Sequence, residues 1–222
     1  MSHPEAVLFD NDGLLLDTES VWSRAEQSLF RSRGREFTIE HKRALVGSSE
    51  KIAGRKLARF LEEPGRERQI MEELNELVLA ELEGGVDPMV GAVEVIELLR
   101  AAGVPVGLVS NSPRRFIERS HEVAATGIDF DVVVSGHEVP EAKPAPDAYL
   151  AACGQLGLPP GPEIVVLEDS PGGVAAGKAA GLFVIGVPSV PGVELEADIV
   201  APTLEHDAVL ERLGIYPIHR GD

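Results

Sequence analysis

Short runs of consecutive apolar residues alternate with stretches whose apolar positions recur every three or four residues. The first run, Ala6-Val7-Leu8-Phe9, stops abruptly at Asp10-Asn11-Asp12-Gly13. Further runs cover 104–109 up to Ser110, 132–134 up to Ser135, 164–167 up to Glu168-Asp169, and 183–185, with 199–200 as a short edge strand. Unbroken apolar runs of this length suit strands buried on both faces of a parallel sheet. Between them, 91–102, 113–126, 145–156 and 172–180 carry helical spacing, as in Val93, Ile96, Leu98 and Leu99. This alternation predicts βαβ units, an α/β fold and an open, mostly parallel sheet. The polar residues gather where the strands end, and open sheets bind ligands there.

One interval departs from the alternation. From Thr18 to about Val86 no strand pattern occurs, and 19–33, 51–62 and 66–83 read as helices. Pro64-Gly65 separates the last two, while Gly84-Gly85 and Asp87-Pro88 end the interval and offer a hinge. The predicted organisation is therefore a core of 1–17 and 87–222, with a small helical unit of 18–86 inserted after the first strand. Residues 189–196 read as a loop and 219–222 as a frayed end.

Composition narrows the function classes. Acidic residues number 37 against 20 basic, a formal charge of −17. A non-specific nucleic-acid or anionic-membrane binder needs the opposite sign, so neither partner is expected. The single cysteine, Cys153, excludes an intrachain disulfide and reads as a buried helix residue. No stretch approaches a membrane span and no basic, apolar leader precedes the first strand, so a cytoplasmic protein is expected. No extra association element stands out, and a monomer is the default.

The strand ends carry the chemistry. Asp10 and Asp12 follow the first strand, and Glu168 and Asp169 follow another. Either pair alone could simply cap the next helix. Brought together, the pairs would repel one another, and a hard divalent cation with oxygen ligands resolves the repulsion; Mg²⁺ suits such a site. Ser110-Asn111-Ser112 reads either as a phosphate cradle or as a helix cap. Lys143, one of five lysines and fixed before Pro144, reads either as a phosphate-binding point charge or as a surface lysine. Taken together, the groups fit attack of a carboxylate on phosphorus, with a second carboxylate handling the leaving-group proton.

The stretch Phe9-Asp10-Asn11-Asp12-Gly13-Leu14-Leu15-Leu16-Asp17-Thr18-Glu19 resembles the first motif of the haloacid dehalogenase-like superfamily. Ser110 matches the second motif, Lys143-Pro144 the third, and Leu167-Glu168-Asp169-Ser170 the fourth. The resemblance implies a Rossmann-like core with an α-helical cap. It implies Asp10 as nucleophile and Asp12 as general acid and base. Asp10, the Asp12 carbonyl, Asp169 and Glu168 would surround Mg²⁺, with Glu168 as a ligand or as a partner of one. Ser110, Asn111 and Lys143 would hold the phosphoryl group. Asp12 favours phosphoryl transfer over dehalogenation, since dehalogenases of the superfamily lack it.

The helical insert is similar to the cap of the beta-phosphoglucomutase and small sugar phosphatase subfamily. In that picture Thr18, Glu19 and Trp22 face the cleft, although Trp22 reads first as a residue of the cap interior. Arg114 and Arg115 follow the cradle, either neutralising substrate or solvated at the surface. His137 reads as a polar loop residue. The expected function is Mg²⁺-dependent hydrolysis of small organic phosphate monoesters through an aspartyl-phosphate, the partner being a small phosphorylated metabolite. A phosphomutase is the alternative. It is weakened because the mutases carry histidine at the Trp22 position and arginine where Glu50 stands, although Lys51 or Arg55 could stand in. A phosphoreceiver signalling module shares the strand-end groups but lacks a lid after the first strand.

Overall fold

The computed structural model describes residues 3–215. The residues read as a frayed end, 219–222, lie outside the described part. Within it, β1 (Ala6–Phe9), β2 (Val106–Ser110), β3 (Val132–Ser135), β4 (Ile164–Glu168), β5 (Phe183–Gly186) and β6 (Ile199–Val200) form one parallel sheet in the order β3-β2-β1-β4-β5-β6. Every residue of β1, β2 and β4 is buried, which explains why they read as unbroken apolar runs. The order grows one way through β2 and β3 and the other way through β4, β5 and β6. The connections therefore diverge around β1, and the crevice of an open α/β sheet opens at such a switch, beyond the strand ends.

Between β1 and α5 (Ala92–Ala101) lie four helices: α1 (Thr18–Arg31), α2 (Ile39–Leu45), α3 (Glu50–Phe60) and α4 (Glu67–Leu82). They form the cap, and α2 was not anticipated. It has seven residues, too few for a periodic pattern, and its start is fixed instead by Thr38, whose side chain and that of His41 cap each other's backbone N–H. α1 begins where the Asp17 side chain accepts from the Ser20 N–H. The chain enters and leaves the cap side by side: Asp17 N–H donates to the Asp87 carbonyl and Met89 N–H to the Leu15 carbonyl, both at 2.9 Å.

The remaining helices are α6 (Arg114–Ala124), α7 (Asp147–Leu156), α8 (Pro171–Ala179) and α9 (Asp207–Leu213). α7 starts two residues later than its pattern suggested, because Pro146 serves as its N-cap. α9 was not anticipated. One apolar cluster covers one sheet face and continues into the cap through Leu14, Leu15 and Leu16. A second covers the other face and includes the buried Cys153. Among the described residues no helix is long and apolar enough to cross a membrane.

Gly107 lies in central strand β2, where a Cβ would come within 2.5 Å of Val132 Cγ1 and 2.7 Å of Leu8 Cδ2. Overpacking of a close-packed interior costs about 1–3 kcal/mol. Gly107→Ala is expected to lower unfolding stability by that amount in urea titration; an unchanged midpoint would show that the sheet relaxes freely there.

Candidate active site

Because β1 and β4 pair in parallel, with Phe9 opposite Leu167, their following residues emerge side by side. Asp10 leaves β1 just as Glu168 and Asp169 leave β4. One carboxylate oxygen from each of the three lies within 4.8 Å of the others. All are buried, with exposures of 6%, 0% and 3%. Gly13 sits opposite them at φ +79°, where a Cβ would come within 2.6 Å of Asp169 Oδ2, so the turn needs glycine for both backbone and space.

A single ammonium binds this group together. Lys143 Nζ donates to Asp10 Oδ1 at 2.7 Å, to Glu168 Oε1 at 2.6 Å and to the Val109 carbonyl at 2.6 Å. Burial opposes its charge, but the adjoining Asp10 and Glu168 more than offset this and hold it above the ordinary lysine range. Tyr149 O–H also donates to Glu168 Oε1, at 2.6 Å. Gly173 leaves the room Glu168 occupies, since a Cβ there would lie 1.9 Å from its carboxylate.

One ammonium against three carboxylates leaves negative charge in a buried place. Burial pushes Asp10 well above the usual carboxylate range, against the pull of Lys143 and with Glu168 and Asp12 adding to the rise. Asp169 is raised by burial and by neighbouring Asp10, Glu19 and Glu168, while the Ser189 hydroxyl at 2.5 Å works the other way. An all-oxygen, acidic donor set of this kind fits a hard divalent cation.

Asp12 has different surroundings. Its Oδ1 accepts from Thr18 Oγ1 at 2.7 Å and from Asn11 Nδ2 at 3.4 Å. Its Oδ2 accepts from Ser110 Oγ and Ser112 Oγ, both at 2.8 Å. Its own N–H donates to Asp10 Oδ2 at 2.8 Å. Behind it, Asn11 Oδ1 lies 2.9 Å from His121 Nε2. Burial lowers His121 to about 4, against the charge of Asp12, so the ring is neutral near pH 7.

The structure thus brings Asp10, Asp12, Lys143, Glu168 and Asp169 together, with Asn111 alongside; Asn111 Oδ1 accepts the Lys143 N–H and its Nδ2 donates to the Lys143 carbonyl. Glu19 lines the cavity between cap and core, as do Trp22 and Asn111. Thr18 and Ser110, expected against substrate, are fully buried and bond to Asp12 instead. Arg114 is not brought in. Its guanidinium grips Glu138 at 2.8 and 2.6 Å and the Val133 carbonyl at 2.7 Å. Tyr149 and Lys42 were not singled out from the sequence, and Ser112 entered only as part of the cradle at 110–112. Ser112 alone carried a signal, standing two residues after Ser110 in the same turn. His137, read as a loop residue, also lines the cavity.

The cavity holds about 100 Å³. Small-molecule sites usually span ~300–1,000 Å³, so this closed arrangement accepts a phosphoryl-sized group, and anything larger needs the cap to shift.

The family model "haloacid dehalogenase-like hydrolase" matches residues 4–181. The chain is 34% identical over 215 residues to the bifunctional riboflavin kinase/FMN phosphatase of Arabidopsis thaliana, covering 95% of this chain and 56% of that longer protein. It is 32% identical over 212 residues to hexitol phosphatase A of Escherichia coli, covering 92% of this chain and 94% of the relative. Its structure resembles that of CbbY from Rhodobacter sphaeroides, solved with phosphate, with a TM-score of 0.76 at 29% identity, covering 94% and 99% of the two chains.

Two outcomes are expected. Lys143→Met leaves buried carboxylates unpaired and should cost about 3–5 kcal/mol near neutral pH by urea unfolding, and less in acid, where they protonate. In the metal-free protein, carboxyls raised by folding stabilise it below their unfolded pKa, and that contribution fades as pH rises; for Glu26 the fade runs from the ordinary 4.5 to about 7. A divalent cation held by Asp10 and Asp169 would need both ionised, so a Mg²⁺-induced rise in Tm should grow with pH. A rise that is absent at neutral pH would count against a metal site.

Proposed function

The chain belongs to the haloacid dehalogenase-like hydrolase family, and we propose that it is a Mg²⁺-dependent phosphatase that hydrolyses small organic phosphate monoesters. One observation carries this reading: two neighbouring carboxylates stand in surroundings suited to two different tasks. Asp10 is bonded to a permanent cation, Lys143, which favours the ionised form required of a nucleophile. Asp12 is ringed by three hydroxyls, and a hydroxyl both donates and accepts. These partners can reorient as Asp12 gains or loses a proton, as a general acid and base requires.

In the first half-reaction an Asp10 carboxylate oxygen forms a bond to phosphorus as the bond to the ester oxygen breaks. Asp12 gives that oxygen its proton, and the alcohol departs. In the second, Asp12 takes a proton from water as the water oxygen attacks phosphorus, and the acyl-phosphate bond breaks to return Asp10 as a carboxylate. Lys143 stays charged throughout and offsets the negative charge of Asp10 and the phosphoryl group. Asp10, Glu168 and Asp169 would hold Mg²⁺, together with the Asp12 carbonyl; when bound, the ion neutralises charge on the phosphoryl oxygens. Residues 18–86 act as the cap that shields this chemistry from bulk water. The phosphatase names of relatives that align over most of their length support the reaction class.

Phosphate release from a panel of esters tests the proposal, with and without Mg²⁺. Asp10→Asn is expected to lower kcat by more than about 10³-fold while leaving the fold intact. Retained turnover in that variant would reject Asp10 as nucleophile. Asp12→Ala should hurt esters of weakly acidic alcohols most and p-nitrophenyl phosphate least, because a good leaving group needs no proton. An equal loss across the panel would remove Asp12 from that role.

A further inference from the structure

Away from Asp10, the cavity has a charge character of its own. Lys42 of α2 lines it, and its Nζ lies 2.5 Å from Glu19 Oε2 and 3.3 Å from Glu26 Oε2. All three side chains are largely buried. Burial raises both glutamates while Lys42 pulls them down, and the two carboxylates in turn hold Lys42 above its ordinary range despite its burial. This ammonium is shared between two carboxylates and has no charge to spare.

A third carboxylate joins from α3. Glu50 Oε2 lies 3.2 Å from His137 Nε2, and Glu50 Oε1 accepts from Asn75 Nδ2 at 3.4 Å. Much of the remaining wall is apolar, including Trp22, Leu45, Leu57 and Met71. Lys51 and Arg55 line a second groove rather than this chamber. A second anionic group on a substrate in this chamber would therefore meet carboxylates and hydrocarbon, with no unpaired ammonium or guanidinium among the described residues that line it.

We propose that the cap chamber selects phosphate esters of uncharged, partly apolar alcohols and discriminates against substrates with a second phosphate or a carboxylate. The inference rests on the phosphatase reading and narrows its substrate class. Like charges placed face to face suppress the wrong partner.

Binding to the Asp10→Asn protein with Mg²⁺ tests it independently of turnover. Trp22, the single tryptophan, lines the chamber, so its fluorescence reports occupancy, with calorimetry as a second measure. Two ester pairs serve as probes: 2-hydroxyethyl phosphate against phosphoglycolate, and fructose 6-phosphate against fructose 1,6-bisphosphate. The member without a second anionic group in each pair is expected to bind at least about tenfold more tightly. Glu50→Lys should shrink that ratio by about tenfold, and the near-isosteric Glu50→Gln by less. Equal affinities, tighter binding of the charged members, or a ratio that Glu50→Lys leaves unmoved would overturn the inference. If the expected ranking holds while the wild-type protein releases no phosphate from any ester, the inference stands and the phosphatase reading fails.

Discussion

Lys143 Nζ sits at the meeting point of two strand ends and one loop, touching Asp10, Glu168 and the last residue but one of β2. Carboxylates this close and this buried are tolerated only with a compensating cation, because the cost of removing charge from water is large. The register of β1 against β4 sets Asp10 level with Glu168 and beside Asp169, and all three are buried, with Asp10 and Asp169 facing the cavity under the cap. The sheet thus creates an electrostatic problem, and Lys143 solves only part of it. The residual negative charge fits a further cation.

The same economy separates the surroundings of Asp10 and Asp12, although they are two residues apart. Asp10 points into the lysine and the other acids, whereas Asp12 points into Thr18, Ser110 and Ser112. A fixed ammonium and a ring of rotatable hydroxyls differ in one decisive respect: only the hydroxyls can follow a proton. His121, neutral behind Asn11, adds polar support to that second environment without adding charge.

Much of this was legible in the chain, for a physical reason. Strands buried on both faces must be apolar throughout, so β1, β2, β4 and β5 announced themselves, and the polar residues that ended them marked the crevice. The lid was legible because a long interval without strand pattern can only be helical or loose. What the sequence could not carry was the identity of partners. Arg114 had two readings, and the choice fell to Glu138, a residue 24 positions away that offers it a two-point grip. Thr18 and Ser110 had the right chemistry for substrate but were taken by Asp12. Lys42 carried no signal in the sequence because α2 is too short to show which face is buried.

The cap follows from these constraints. In the proposed reaction an acyl phosphate survives only if water reaches it on terms set by Asp12, which favours a closed chamber. Yet a chamber of about 100 Å³ admits little beyond the phosphoryl group. Both demands are met if the helices of the cap move relative to the sheet. The chain provides for this where it crosses between them: the outgoing and returning segments are hydrogen-bonded to each other through Asp17 to Asp87 and Leu15 to Met89. Two strands of backbone tied at one place act as a single pivot rather than two independent tethers. Direct polar contacts between cap and core include Glu50 with His137, the Gly47 carbonyl with Asn111 Nδ2 at 3.4 Å, Arg43 Nε with the Pro191 carbonyl at 3.0 Å, and a two-point pair of Arg119 with Glu83 at 2.9 and 2.7 Å. Opening about that pivot would break these contacts, and four of the residues that make them, Gly47, Glu50, Asn111 and His137, also line the cavity.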